Sequence, residues 1–117
     1  MSLQVWLPLN GDLHNQGLSD ITVTNNGATV NNSGKIGKCY SFNGTSNYLI
    51  SNFTFLDNNI EDFSYTCWFK PSNTTTMCLL SNRTLEKSTG IAIFYKNNGF
   101  YFDDGARWES SISIVLN

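Results

Sequence analysis

Residues 34–50, GKIGKCYSFNGTSNYLI, hold an alternating Tyr-x-Phe run, an Asn-Gly pair and a second run that opens at Tyr48. Side chains of an extended strand alternate between faces. Tyr40 and Phe42 therefore share one face, and Cys39 and Ser41 the other. Asn43-Gly44 ends the first run, because this dipeptide readily takes the positive φ angles of a tight turn. Tyr48 to Ser51 forms the second run. The stretch reads as strand, turn and strand, with Tyr40 and Phe42 directed toward a core.

The same grammar extends in both directions. Gln4 to Leu9, QVWLPL, reads as an opening strand that stops at Asn10-Gly11. GDLHNQGLSD is polar and loop-like. Ile21 to Thr24 is a short β-branched strand, Asn25-Asn26-Gly27 turns it, and Ala28 to Asn31 returns. Asp62 to Lys70, DFSYTCWFK, carries the strongest alternation in the sequence. It sets Phe63, Tyr65, Cys67 and Phe69 on the core face and Ser64, Thr66, Trp68 and Lys70 on the other. Pro71 ends it, having no N–H for the ladder. Met77 to Ser81 is a further strand. Gly90 to Tyr95 and Phe100 to Asp103 flank KNNG, residues 96–99, as a hairpin. Ser110 to Leu116 closes the series. The pattern gives about nine strands and no helix, which predicts an all-β antiparallel sandwich or jelly roll. Phe42, Phe63, Tyr65, Cys67, Phe69, Leu79 and Ile93 are the expected core.

Bulk composition bounds the rest. The 117 residues suit one small domain. Seven Lys and Arg are scattered and the net charge is −2, which argues against a phosphate backbone as partner. No apolar run is long enough to enter a membrane as a helix. The opening MSLQVWLPLNGDL lacks the basic and apolar regions of a secretory signal. The three cysteines, Cys39, Cys67 and Cys78, form no C-x-x-C pair, so zinc is not expected. They read as small buried hydrophobes with free thiols, with one structural disulfide plus a spare thiol as the rival reading. The five N-x-[ST] sequons, starting at Asn31, Asn43, Asn52, Asn73 and Asn82, follow from an Asn- and Thr-rich composition.

Three of these stretches carry a resemblance. GKCYSFNGTSNYL is similar to the G-x-a-l-x-F-d-G-x-x-d-Y-v element of concanavalin A-like lectin/glucanase domains, in their laminin-G-like jelly-roll branch. FSYTCWFKP, residues 63–71, resembles that family's f-t-i-s-a-W-v-k-p strand, and WLPLNGDLHNQG resembles its opening element. The resemblance implies a concanavalin A-like β-sandwich of phage tail or bacterial surface type, with a virion or cell-surface location. After the strand matching SISIVL the family continues with a W-x-H strand and several more. The expected jelly roll is therefore incomplete, and association with further copies of the protein is expected to cover its exposed face and edge. Asn43 and Asn47 stand where the family usually has Asp. Amides lack the charge that holds calcium tightly, so no cofactor is expected.

Function is a separate question from fold. The glucanase relatives use carboxylates two residues apart on one strand, which places both on one face. Here Asp12, Asp20, Asp57, Glu61, Asp62, Glu86, Asp103, Asp104 and Glu109 include no pair at that spacing. His14 stands alone in a polar loop, and catalysis is not expected. Glycan binding uses aromatic rings for sugar C–H groups and amides or acids for hydroxyls. Trp68, Tyr101, Asp103, Asp104 and Trp108 are the candidates. For Trp68, in a central strand, a core role is the stronger reading. Trp108, in a polar turn beside Arg107 and Glu109, is balanced between the two. Calcium at Asp103 and Asp104 has no loop signature behind it. The expectation is a non-catalytic glycan- or surface-recognition module. A purely structural virion domain making protein–protein contacts is the alternative, and a glucanase a distant third.

Overall fold

A computed structural model describes residues 2–53, 64–82 and 90–103, and the backbone of 112–113. Among the described residues it is all-β, with antiparallel pairing throughout and no helix. The polypeptide divides into two compact units, Met1–Phe53 and Thr54–Asn117.

In the first unit, β1 (Val23–Asn26) pairs with β4 (Tyr48–Ser51), and β2 (Thr29–Asn31) pairs with β3 (Cys39–Ser41). One hairpin is thus nested inside another. The expected return of residues 28–31 onto 21–24 does not form, and the Asn25 side chain explains why. Its amide donates to the Ala28 carbonyl at 2.8 Å and accepts the Ala28 N–H at 2.9 Å. That ring of two bonds turns the backbone at a corner and sends β2 toward β3. Ala28 is buried at the corner.

Gln4 to Leu9 runs beside residues 16–19 but is not a strand. Backbone bonds join Gln16 N to Trp6 O, Leu18 N to Leu3 O and Ser19 N to Gln4 O. Between them the Asn15 side chain takes backbone roles. Its Oδ1 accepts the Trp6 N–H at 2.7 Å, and its Nδ2 donates to the Ser19 carbonyl at 2.7 Å. A side chain inside the ladder satisfies the same groups as a strand would, without the regular repeat.

In the second unit, β5 (Met77–Ser81), β6 (Ala92–Lys96), β7 (Gly99–Asp103) and β8 (Ile112–Ser113) form one sheet in sequence order. The β6–β7 turn is the hairpin that KNNG predicts. Asn97 and Asn98 both take positive φ, 50° and 62°, as a type I′ turn requires. Asn tolerates this region better than most side chains. The Tyr95 hydroxyl donates to Asn98 Oδ1 at 3.0 Å, and Asn97 N donates to the Thr74 carbonyl. A bulge interrupts β5 between Cys78 and Leu80.

The core of this unit lies at Tyr95 and Ile91, each 1 % exposed, and Ala92. Phe69 packs edge-on against both Tyr95 and Phe100, which are register partners on β6 and β7. Edge-to-face contact sets the positive ring edge against the negative face.

Several expectations are corrected here. Ser64 to Lys70 is not a strand, and Tyr65 (38 %), Cys67 and Trp68 (76 %) are exposed. Alternation fixes which way side chains would point, but a strand also needs a neighbour to supply its N–H and C=O partners. Of the described core set in this segment, Phe69 alone is half-buried. Phe42 is 48 % exposed, because it follows the end of β3 and leaves the paired ladder. Leu79 and Ile93 are half-buried. Cys67 and Cys78 are exposed and Cys39 is half-buried, all three as free thiols, so none is the buried hydrophobe expected. Phe63 and most of the segment Ser110 to Leu116 lie outside the described residues.

Candidate functional site

Tyr101 and Asp103 are two residues apart on β7 and so share one face of the sheet. Across the ladder Tyr101 pairs with Phe94, Asp103 pairs with Ala92, and Lys96 pairs with Gly99. On the next strand Cys78 pairs with Phe94. Directly paired residues point to the same side. One face therefore carries a row of Cys78, Phe94 and Tyr101, with Asp103 on one side and Lys96 on the other. Tyr95 and Phe100 belong to the opposite face, where Phe69 covers them.

Tyr101, Phe94 and Asp103 are half-buried, and Lys96 is exposed. The face offers ring surface, a phenol, a carboxylate and an ammonium on a hydrogen-bonded scaffold. That set suits a ligand with both C–H and hydroxyl groups.

The other sequence candidates do not join it. Trp68 is the sequence neighbour of Phe69, yet its indole is exposed while the Phe69 ring packs inward. The two rings leave the segment on different sides. Trp68 thus faces solvent, against the core role expected for it. Asp104 and Trp108 lie outside the described residues.

Sequence patterning alone does not single out Phe94 and Lys96. The register that brings Phe94 opposite Tyr101 depends on the I′ turn at Asn97-Asn98, and counting outward from that turn would find it. In the first unit, Tyr48 (52 %) and Ile50 (57 %) are also exposed. They share a face of β4 with their β1 partners Asn26 and Thr24. An open depression of about 400 Å³ beside them is lined by Thr22, Thr24, Ile50, Ser51 and Asn52.

Two titratable side chains near the sheet, Cys78 and Tyr65, hold their protons more tightly than usual. Desolvation raises the Cys78 thiol, with a backbone hydrogen bond at Leu80 acting the other way. A raised thiol stays protonated at neutral pH and is a poor nucleophile. The Tyr65 phenol is raised further, first by desolvation of its hydroxyl, then by a hydrogen bond to Cys67 and by the charges Cys67 and Cys78 would carry. Among the described residues no three His, Cys, Asp or Glu side chains converge as a metal site. No helix there is long and apolar enough to cross a membrane. Asn43 and Asn47 are engaged with their own loop. Asn43 Oδ1 accepts the N–H groups of Thr45, Ser46 and Asn47, each at 3.0 Å, while Asn47 Oδ1 accepts the Asn43 N–H at 2.9 Å.

Compared with protein-family models, curated proteins and solved structures, the protein gives no match.

Proposed function

We propose that this protein is a non-catalytic recognition module that holds a glycan or another surface ligand on one face of its second sheet. The observation that carries the reading is the placement of Tyr101 and Asp103 on one face, with Phe94 in register beside Tyr101. Paired rings give a platform for sugar C–H groups, and the carboxylate accepts from hydroxyls. In this reading the sheets belong to a concanavalin A-like jelly-roll sandwich, of phage tail or bacterial surface origin. Its support is the resemblance of residues 37–49 and 63–71 to that family's motifs. A glycan array tests it. Binding should fall at least about tenfold in Tyr101→Ala and Asp103→Asn, the loss of one well-made contact. An array with no binder, or binding unchanged in both variants, would sink it.

A structural role is the second reading, and a different observation favours it. Leu3, Trp6, Leu18, Val30, Ile36, Phe42, Tyr48 and Ile50 of the first unit are large, apolar and exposed. Exposed apolar surface drives association. Light scattering on a size-exclusion column should then show at least twice the 13.1 kDa monomer mass. A monomer at high micromolar concentration would exclude self-association as the role.

A further inference from the structure

The sequence has four Asn-Gly pairs, at residues 10–11, 26–27, 43–44 and 98–99. Each is chemically able to modify itself. The glycine backbone nitrogen, having lost its proton, attacks the carbonyl carbon of the asparagine amide. A new bond forms between that nitrogen and that carbon, the bond from the carbon to the amide nitrogen breaks, and the leaving nitrogen takes up a proton as ammonia. Water then opens the resulting succinimide to aspartate or isoaspartate. Glycine favours the step because it has no side chain to block the approach.

Three of the four amides are restrained. Asn26 Nδ2 donates to the Ser46 carbonyl at 3.1 Å. Asn43 Nδ2 donates to Ser46 Oγ at 3.0 Å while its Oδ1 holds three N–H groups. Asn98 Oδ1 accepts the Tyr95 hydroxyl inside the I′ turn. The Asn10 side chain is exposed and has no hydrogen bond among the described residues.

Two further features single out Asn10. Its neighbours both sit at positive φ, Leu9 at 54° and Gly11 at 113°. That region is unfavourable for leucine. Isoaspartate lengthens the backbone by one atom and lets Leu9 leave it. The Lys38 side chain also lies over Gly11, so that a methyl group there would be 3.1 Å from Lys38 Cδ and 3.5 Å from Nζ. An ammonium beside this peptide favours the anionic nitrogen and the oxyanion it forms, and then pairs with the product carboxylate.

We propose that Asn10 is a self-modification site, converting to aspartate and isoaspartate ahead of the other three Asn-Gly pairs, with Lys38 promoting the step. The test is to incubate the full-length protein at mildly alkaline pH and follow each site by peptide mapping, with fragmentation that separates aspartate from isoaspartate. Asn10 should convert about tenfold faster than Asn26, Asn43 or Asn98, the ratio expected when the others must first break one or two hydrogen bonds. Lys38→Gln should slow Asn10 severalfold and leave the other three unchanged. In concentrated urea the four rates should converge. Conversion of any of the three as fast as Asn10 in the folded protein would overturn the assignment. So would an Asn10 advantage that persists in urea, because local sequence and not structure would then select it. An unchanged Asn10 rate in Lys38→Gln would remove Lys38 from the proposal.

Discussion

The ring of Phe69 meets that of Tyr95 edge-on, with centroids 5.4 Å apart and planes inclined at 62°. Phe69 belongs to a segment outside the sheet, and Tyr95 is the most buried large side chain within it. This contact, with its partner at Phe100, fixes one end of the segment to the sheet. Phe69→Ala should cost about 2–3 kcal/mol, less than full burial would give because Phe69 is only half-buried. Its neighbour Trp68→Ala should cost less than about 1 kcal/mol. Urea melts of the two variants check the contrast. Equal losses would mean that the segment is not anchored by Phe69.

The Asn43 loop predicts a stabilising change. Three N–H groups converge on Asn43 Oδ1. A carboxylate accepts such groups more strongly than an amide. Asn43→Asp should gain up to about 1 kcal/mol at neutral pH, while Asn43→Ala should lose about 1 kcal/mol. The new carboxyl is held below its unfolded value. Its gain is present above about pH 4 and disappears as pH falls through the lower folded value. Thermal melts at neutral and acid pH measure both. An Asp variant less stable than wild type at neutral pH would contradict the loop geometry.

Stability should decline in alkali. Tyr65 and Cys78 both hold their protons more tightly when folded. Stability from a raised group is complete below its unfolded pKa and is lost as pH rises through the folded one. The decline should therefore begin at about pH 9 with the thiol and continue above about pH 10 with the phenol. Tyr65→Phe should flatten the upper part and Cys78→Ser the lower part. A melting temperature that is level from neutral to strongly alkaline pH would refute this.

Gly17 should not tolerate a side chain. A methyl group there would clash with the Gln4 carbonyl oxygen, which is backbone and cannot swing aside. Gly17→Ala should cost about 1–3 kcal/mol. It should also remove hydrogen-exchange protection at Gln16, Leu18 and Ser19, whose amides bridge to residues 3–6. Retained protection at those three amides would show that the two segments absorb the methyl group without parting.

The antiparallel all-β character was legible because it depends on local pattern. An apolar run marked Met77 to Ser81, the Asn43-Gly44 turn marked Tyr48 to Ser51 after it, and KNNG marked the β6–β7 turn. Roles that depend on distant partners were not legible. The Asn15 side chain bonds the Trp6 N–H and the Ser19 carbonyl in place of a strand partner, so a convincing strand pattern at Gln4 to Leu9 yields no strand. Ser64 to Lys70 has the strongest alternation, yet of its described core set Phe69 alone is half-buried. At the candidate site, the shared face of Tyr101 and Asp103 follows from their spacing. Phe94 joins them only through cross-strand register, which one strand read alone does not contain.

The nested hairpins of the first unit also dictate an order of assembly. Before any pairing, bringing Asn26 to Tyr48 means closing the whole loop between them. Once Thr29–Asn31 has met Cys39–Ser41, only two short links remain to be closed. Loop closure grows more costly with length, so the inner pair forms first and the outer pair zips onto it. Pulse-labelled amides of β2–β3 should gain protection before those of β1–β4, and the reverse order would refute it. By the same logic, weakening the inner turn between residues 32 and 38 slows folding of the outer ladder, which it never touches.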